Sequence, residues 1–326
     1  MLYPLTFKPI FKERVWGGRN LERLFRKPLP PERPIGESWE ISDRPGDVSV
    51  IANGPLAGKD LHWLVEQHGP ELFGPGLSAA RFPLLIKILD ARQTLSLQVH
   101  PPAAVAARLG GEPKTELWHI VHAEPNAELY VGLKRGVSRE LFEQKLRDGS
   151  VAECLHRVPV RAGDAMFLPS GRVHAIGAGL VIFEIQQNSD TTYRVFDWNR
   201  LGLDGQPREL HLAESLASIN FNDFEPALNR SQYSRNLVIK LRFITDDPLF
   251  RVDGYQVKRG QRYHVRLPAA QVIGLVRGRL VVTFHEHELR LQAGDFALLP
   301  ACLERVTLVA ETAVEYLQVQ PGLIAG

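Results

Sequence analysis

The chain has 326 residues, 44% of them hydrophobic and 23% charged, with a net charge of +2. That is the composition of a globular protein, and the length asks for one large domain or two ordinary ones. Without a basic block there is no ground for nucleic-acid or anionic-membrane binding, and two cysteines exclude a disulfide framework.

Residues 1–10 read as an extended lead-in, with no apolar stretch long enough for a signal segment or a membrane span. A reducing cytoplasm is the expected location. The region up to residue 60 is rich in Pro and Gly, although Trp39-Glu-Ile-Ser42 has strand character. Asp60 can cap a helix over 60–68. Short apolar runs broken by Gly, Pro and Asp then predict strands at Arg81–Asp90, Leu117–His122, Leu180–Ile185 and Val272–Val276. Helical patterns are few, one from Ser138 to Leu146 and one from Leu210 to Ile219. Cys154 and Cys302 are expected to be small buried residues, not nucleophiles. The sum is a mainly β fold, an antiparallel sandwich or jelly-roll barrel with a few short helices.

One internal echo sets the domain plan. Arg161-Ala-Gly-Asp-Ala-Met-Phe-Leu-Pro169 recurs as Gln292-Ala-Gly-Asp-Phe-Ala-Leu-Leu-Pro300, each a tight turn followed by a strand that Pro ends. Two related barrels in tandem are therefore expected, with the junction in the polar, irregular stretch 221–250. The first spans 1–225, with added N-terminal strands and a small helical insertion at about 136–150. The second spans 226–326 and has no His after its Pro, so it is expected to lack the chemistry of the first.

That chemistry rests on Gln98, His100, Glu116 and His174. Gln98 and His100 are two apart, so on a strand they share a face. Turn residues around Gly163-Asp164 and Pro169-Ser-Gly171 aim His174 inward. Four polar groups facing into a small barrel must be hydrogen-bonded or bound to an ion. Two imidazoles, a carboxylate and an amide oxygen suit a borderline divalent ion such as zinc, in the pattern of a metal-binding cupin barrel. Lys114 lies two before Glu116. Beside a cation its pKa would fall and it could act as a general base, or it is a surface lysine paired with Glu112. The polar stretch Asn188–Arg200 offers Asp190, Arg194 and Arg200 to an anionic substrate, or is a salt-bridged loop. His285-Glu-His287 reads as a solvated strand end.

Taken together, Val15-Trp-Gly-Gly18, Gly36-Glu-Ser-Trp-Glu-Ile-Ser42, Phe82-Pro-Leu-Leu-Ile-Lys87, Leu95-Ser-Leu-Gln-Val-His-Pro101, Lys114-Thr-Glu116, Pro169-Ser-Gly-Arg-Val-His-Ala175 and Asn188-Ser-Asp-Thr-Thr-Tyr-Arg194 resemble type I mannose-6-phosphate isomerases, in their short bacterial form. The resemblance runs over nearly the whole chain in order. It implies a cupin enzyme with one zinc ion that interconverts mannose 6-phosphate and fructose 6-phosphate through a cis-enediolate. It further implies that Gln98, His100, Glu116 and His174 are the zinc ligands and Arg194 the essential arginine. Lys114 would transfer the proton, Asp190 would assist ring opening, and Lys87 and Ser96 would lie at the substrate phosphate. The longer members have a His immediately before the Lys of the Lys-x-Glu motif, where this chain has Pro113. Their large helical insertion is reduced here to about one helix. The expected partner is a small sugar phosphate, with the chain a monomer or homodimer. Two rivals remain open at this point: an iron-dependent cupin oxygenase, which also needs two His and a carboxylate, and a non-catalytic sugar-phosphate sensor.

Overall fold

The computed structural model describes residues 1–322 and the backbone of Ile324 and Ala325. Its strands form four main antiparallel sheets, and the mainly β expectation holds. The first sheet has the order Ile10–Gly18, Ile35–Ile41, Leu84–Ala91, Leu180–Gln187, Glu116–Ala123, Ala165–Leu168. The second runs Leu155–Pro159, Glu128–Leu133, His174–Ile176, Leu97–Val99, Tyr193–Phe196. Strands from residues 239–321 make the third and fourth sheets.

The packing follows from the period of two. On the first sheet, Leu89, Trp118, Ile120 and Ile182 meet Leu129, Val131 and Ile176 of the second. Their neighbours Ile86, Ile88, Leu117, Phe183 and Ile185 point the other way, against Val252, Val272, Leu298 and Leu317 of the third sheet. The third and fourth sheets close over Leu275, Leu280, Val282 and Leu308. The first sheet is thus covered on both faces. This is why every residue of Leu84–Ala91 is buried and why the strand reads as an apolar run.

The echo is structural. Gly163 and Gly294 adopt φ of 92° and 87°, which glycine tolerates without strain. Asp164 Oδ2 accepts from the Arg161 amide at 3.0 Å, and Asp295 Oδ2 accepts from the Gln292 amide at 2.9 Å. The strands Ala165–Leu168 and Phe296–Leu299 follow.

Asp60 caps Leu61–Phe73 through the Trp63 amide, and Ser138 caps Arg139–Arg147 through the Leu141 amide. The third expected helix is Leu212–Ser218. Two features differ from the sequence reading. The stretch 221–250 contains the nine-residue strand Ile239–Asp247, whose Lys240, Arg242 and Asp246 disguise it as polar loop. Cys302 is exposed, because it sits on a short 3-10 turn at the surface, whereas Cys154 is buried as expected. Among the described residues no helix is long and apolar enough to cross a membrane.

His119, fully buried on the face of the first sheet that packs on the third, has no hydrogen-bond partner on either ring nitrogen among the described residues. Burial, helped by the charge of Arg242, pushes its pKa from 6.5 down to about 3. The fold therefore holds the neutral ring, while the unfolded chain takes up a proton below pH 6.5. The resulting stability is complete above that pH and is lost as pH falls toward 3, at up to about 1.4 kcal/mol per pH unit. His119→Leu should flatten the decline in unfolding free energy between pH 7 and 4.5, and parallel curves for parent and variant would refute this.

Candidate active site

Two rows of polar residues face the gap between the first and second sheets. On the first sheet Trp39 lies opposite Lys87, Lys87 opposite Glu184, and Glu184 opposite Trp118. On the second, Arg194 lies opposite Gln98, and Gln98 opposite His174. Side chains directly across neighbouring strands share a face at close range. Sheet register therefore gathers residues that are far apart in sequence, from Glu37 and Trp39 on the strand Ile35–Ile41 to Arg194 on Tyr193–Phe196.

The deepest part of the site is His100, Glu116 and His174, each 1% exposed, with ligand atoms within 4.8 Å of one another. His100 Nδ1 donates to the Thr191 carbonyl at 2.9 Å, and His174 Nδ1 donates to the Arg172 carbonyl at 2.9 Å. A carbonyl can only accept, so both Nε2 atoms carry lone pairs and face Glu116, at 3.2 Å from Oε1 and 3.8 Å from Oε2. Both Nε2 atoms and both Glu116 oxygens are buried without a well-directed hydrogen bond. Lys114 Nζ is 2.7 Å from Glu116 Oε1, close enough for an ion pair but off the angle of a hydrogen bond. Among the described residues Glu116 Oε1 alone of these four acceptors has a cation beside it. The other three are costly to bury unless an ion joins them, so the donor set fits a metal ion.

Burial pushes the pKa of His100 down, with the charge of Lys114 adding to it, and takes His174 down to about 3, with His100 adding to it. Both rings are therefore in the neutral form that metals bind. Burial opposes ionisation of Glu116, yet the carboxyl is held well below its usual range, with the charge of Lys114 the largest attraction. At Lys114 burial works to lower the pKa, yet among the protein's own charges Glu116, Glu184 and Glu37 raise it above the ordinary value. The lysine is buried, and its partner is Glu116, while Glu112 pairs with Arg44.

In front of the triad lies a cavity of about 630 Å³. Gln98, Lys114, Arg194, Asp190, Lys87 and Ser96 all line it. Lys87 sits 3.4 Å from Glu184 and 3.9 Å from Glu37. Asp190 is at the rim, held by Arg44 at 2.9 Å. Arg194 is the lining cation with no carboxylate in ion-pair contact among the described residues, its Nη1 donating to the Glu209 carbonyl at 2.6 Å. Arg200 does not line the cavity, because Asp197 and the Thr94 carbonyl hold its guanidinium. His287, in the stretch His285-Glu-His287, stacks on Tyr3 at 5.0 Å.

A model of the type I phosphomannose isomerase catalytic domain matches residues 5–115. A mannose-6-phosphate isomerase of Streptococcus mutans is 37% identical over 302 residues, covering 92% of this chain and 93% of the relative. The chain belongs to the type I phosphomannose isomerase family. A putative mannose-6-phosphate isomerase of Bacillus subtilis is 34% identical over 94% of this chain and 95% of its own length. The crystal structure of the mannose 6-phosphate isomerase from Bacillus subtilis superposes with a TM-score of 0.89 at 30% identity, covering 98% of this chain and all of that one. The apo phosphomannose isomerase of Salmonella typhimurium, at 18% identity and a TM-score of 0.75, shares the fold.

Membership in the family leaves several cavity residues that the sequence reading passed over. Glu37 and Glu184 are buried carboxylates that accept from the indoles of Trp39 at 2.6 Å and Trp118 at 2.8 Å. Lys87 and Arg14 draw the pKa of Glu37 down to about 2 against the effect of burial. Glu184 is raised, by burial first and then by the charge of Glu116. A signal was present for Glu184, the lone charge in the apolar run Leu180–Ile185. Arg14 and Arg208 also line the cavity, and nothing in their local sequence marks them.

Proposed function

We propose that the chain is a zinc-dependent aldose–ketose isomerase that interconverts mannose 6-phosphate and fructose 6-phosphate, with one ion per chain. The observation that carries this reading is the set of buried, orphaned acceptors on His100, Glu116 and His174 behind a cavity lined by Lys114 and Arg194. Gln98 is the fourth ligand in this proposal. The ion, when bound, would supply Lewis-acid polarisation of the open-chain sugar's carbonyl without redox chemistry.

In this proposal Lys114 takes the proton from C2 and returns it to C1 through a cis-enediolate, while the hydroxyl proton passes from O2 to O1. Sharing the charge of Glu116 with a cation weakens the largest attraction that keeps Lys114 protonated, and so moves it toward the base form. Arg194, free of a carboxylate partner, stabilises the developing oxyanion. Ser96 and Lys87 are assigned to the phosphate, although Lys87 brings less net charge than an unpaired lysine because Glu184 and Glu37 flank it. Asp190 at the rim assists ring opening, a task for which Pro113 has no side-chain donor. The same proposal divides the chain into a catalytic cupin unit, 1–225, and a C-terminal unit, 226–326, without ligands.

A coupled assay with mannose 6-phosphate on metal-stripped protein should show no turnover until zinc is restored. Activity that persists at full rate without metal would sink the zinc assignment, and none with zinc would sink the reaction. Arg194→Ala should lower kcat by roughly 10²–10³-fold. A change confined to KM would instead make Arg194 an anchor for the substrate.

A further inference from the structure

Arg44 lies three residues beyond the strand Ile35–Ile41, outside the catalytic cavity, with its side chain 12% exposed. Acceptors from two separate loops converge on its guanidinium. Nη1 donates to Glu112 Oε2 at 2.7 Å and to the Asn188 carbonyl at 2.9 Å, and Nη2 donates to Asp190 Oδ1 at 2.9 Å.

Those two loops are also sewn to each other. The Glu112 amide donates to Thr191 Oγ1 at 3.0 Å, the Thr115 amide to Gln187 Oε1 at 2.9 Å, and the Ser189 hydroxyl to the Glu112 carbonyl at 3.4 Å. The seam ends on the metal-ligand cluster, since the Thr191 carbonyl takes the Nδ1–H of His100. One loop carries Lys114 and the other carries Asp190, both on the cavity wall. A planar fork with five donors can hold acceptors on both loops at once in one fixed geometry, whereas an ammonium offers three donors from a single point.

We propose that Arg44 is a positioning residue: by strapping loops 112–115 and 187–191 together it fixes the ring of His100 and the side chain of Lys114. The proposal rests on the reading of this site as a metal-dependent isomerase. It assigns Arg44 no contact with substrate. Its loss loosens the site through Thr191, Lys114 and Asp190, and leaves Lys87, Ser96 and Arg194 of the cavity wall in place.

The test measures zinc dissociation constants by chelator competition, without sugar, for the parent, Arg44→Met and Arg44→Lys. The melting temperature of the metal-free protein and kcat and KM for mannose 6-phosphate are measured beside them. Arg44→Met should weaken zinc binding about tenfold, the low end for an outer-shell support. Its kcat should fall while KM stays within about twofold. Arg44→Lys should lie between, roughly threefold weaker for zinc, because its three donors diverge from one point on a flexible stem and hold the two loops less firmly. Zinc affinity unchanged in both variants overturns the proposal, as does a lower melting temperature with affinity and kcat intact. If Arg44→Met does not fold, the zinc affinity of Arg44→Lys decides alone. A parent that turns over no mannose 6-phosphate would refute the functional reading, and the zinc comparison would still judge Arg44.

Discussion

Glu116→Gln is expected to remove the metal and nearly all turnover while leaving the fold in place. The substitution keeps the shape of the side chain and deletes the one negative charge of the cluster. Four neutral ligands would then have to hold a divalent ion in a buried site, beside the ammonium of Lys114 at 2.7 Å from the altered group. Desolvating an ion without a compensating charge is unfavourable by several kcal/mol. Zinc affinity should fall by more than about 100-fold, beyond the loss typical of an outer-shell change. If the ion supplies several kcal/mol of barrier lowering, turnover should fall by about 10³-fold or more. Metal analysis after dialysis, with circular dichroism as the check on folding, reads the outcome. Stoichiometric zinc with more than a tenth of the parent's activity would remove Glu116 from the ligand set.

Lys114→Met should show the opposite pattern, with metal retained and chemistry lost. Methionine keeps much of the buried aliphatic volume and takes away the ammonium. Without Lys114, Glu116 loses the nearest positive charge that holds its carboxyl ionised, so the empty site becomes more acid-labile while the ion itself restores that charge. A general acid–base group contributes roughly 10²–10⁴-fold to rate, and kcat should fall within that range. Near-normal turnover with intact zinc would take proton transfer away from Lys114. The raised carboxyl of Glu184 would then be the next group to examine.

The local chemistry of the site was written in short motifs. Gln98 and His100 two apart, Lys114 and Glu116 two apart, and His174 after a Gly-Asp turn are patterns that strand geometry makes readable. The capped helices at Asp60 and Ser138 were legible for the same reason, since a cap acts over three residues. So was the repeated turn at Gly163 and Gly294, where a positive φ and an Asp hydrogen bond are local demands.

Contacts between distant segments were not legible. The sequence by itself determined a mainly β chain, a turn-and-strand motif that occurs twice, and the residue types of a candidate metal site. Only the tertiary structure decided that Glu37 and Glu184 flank Lys87, that Arg14 and Arg208 reach the cavity, and that Arg44 straps two loops. It also decided that carboxylates on three different strands act on the Lys114 ammonium and, among the protein's own charges, raise its pKa. The physical reason is one of range. Turns, caps and strand faces are set by neighbours a few residues apart, whereas the field at a buried charge is the sum over everything that sheet register brings within a few ångströms.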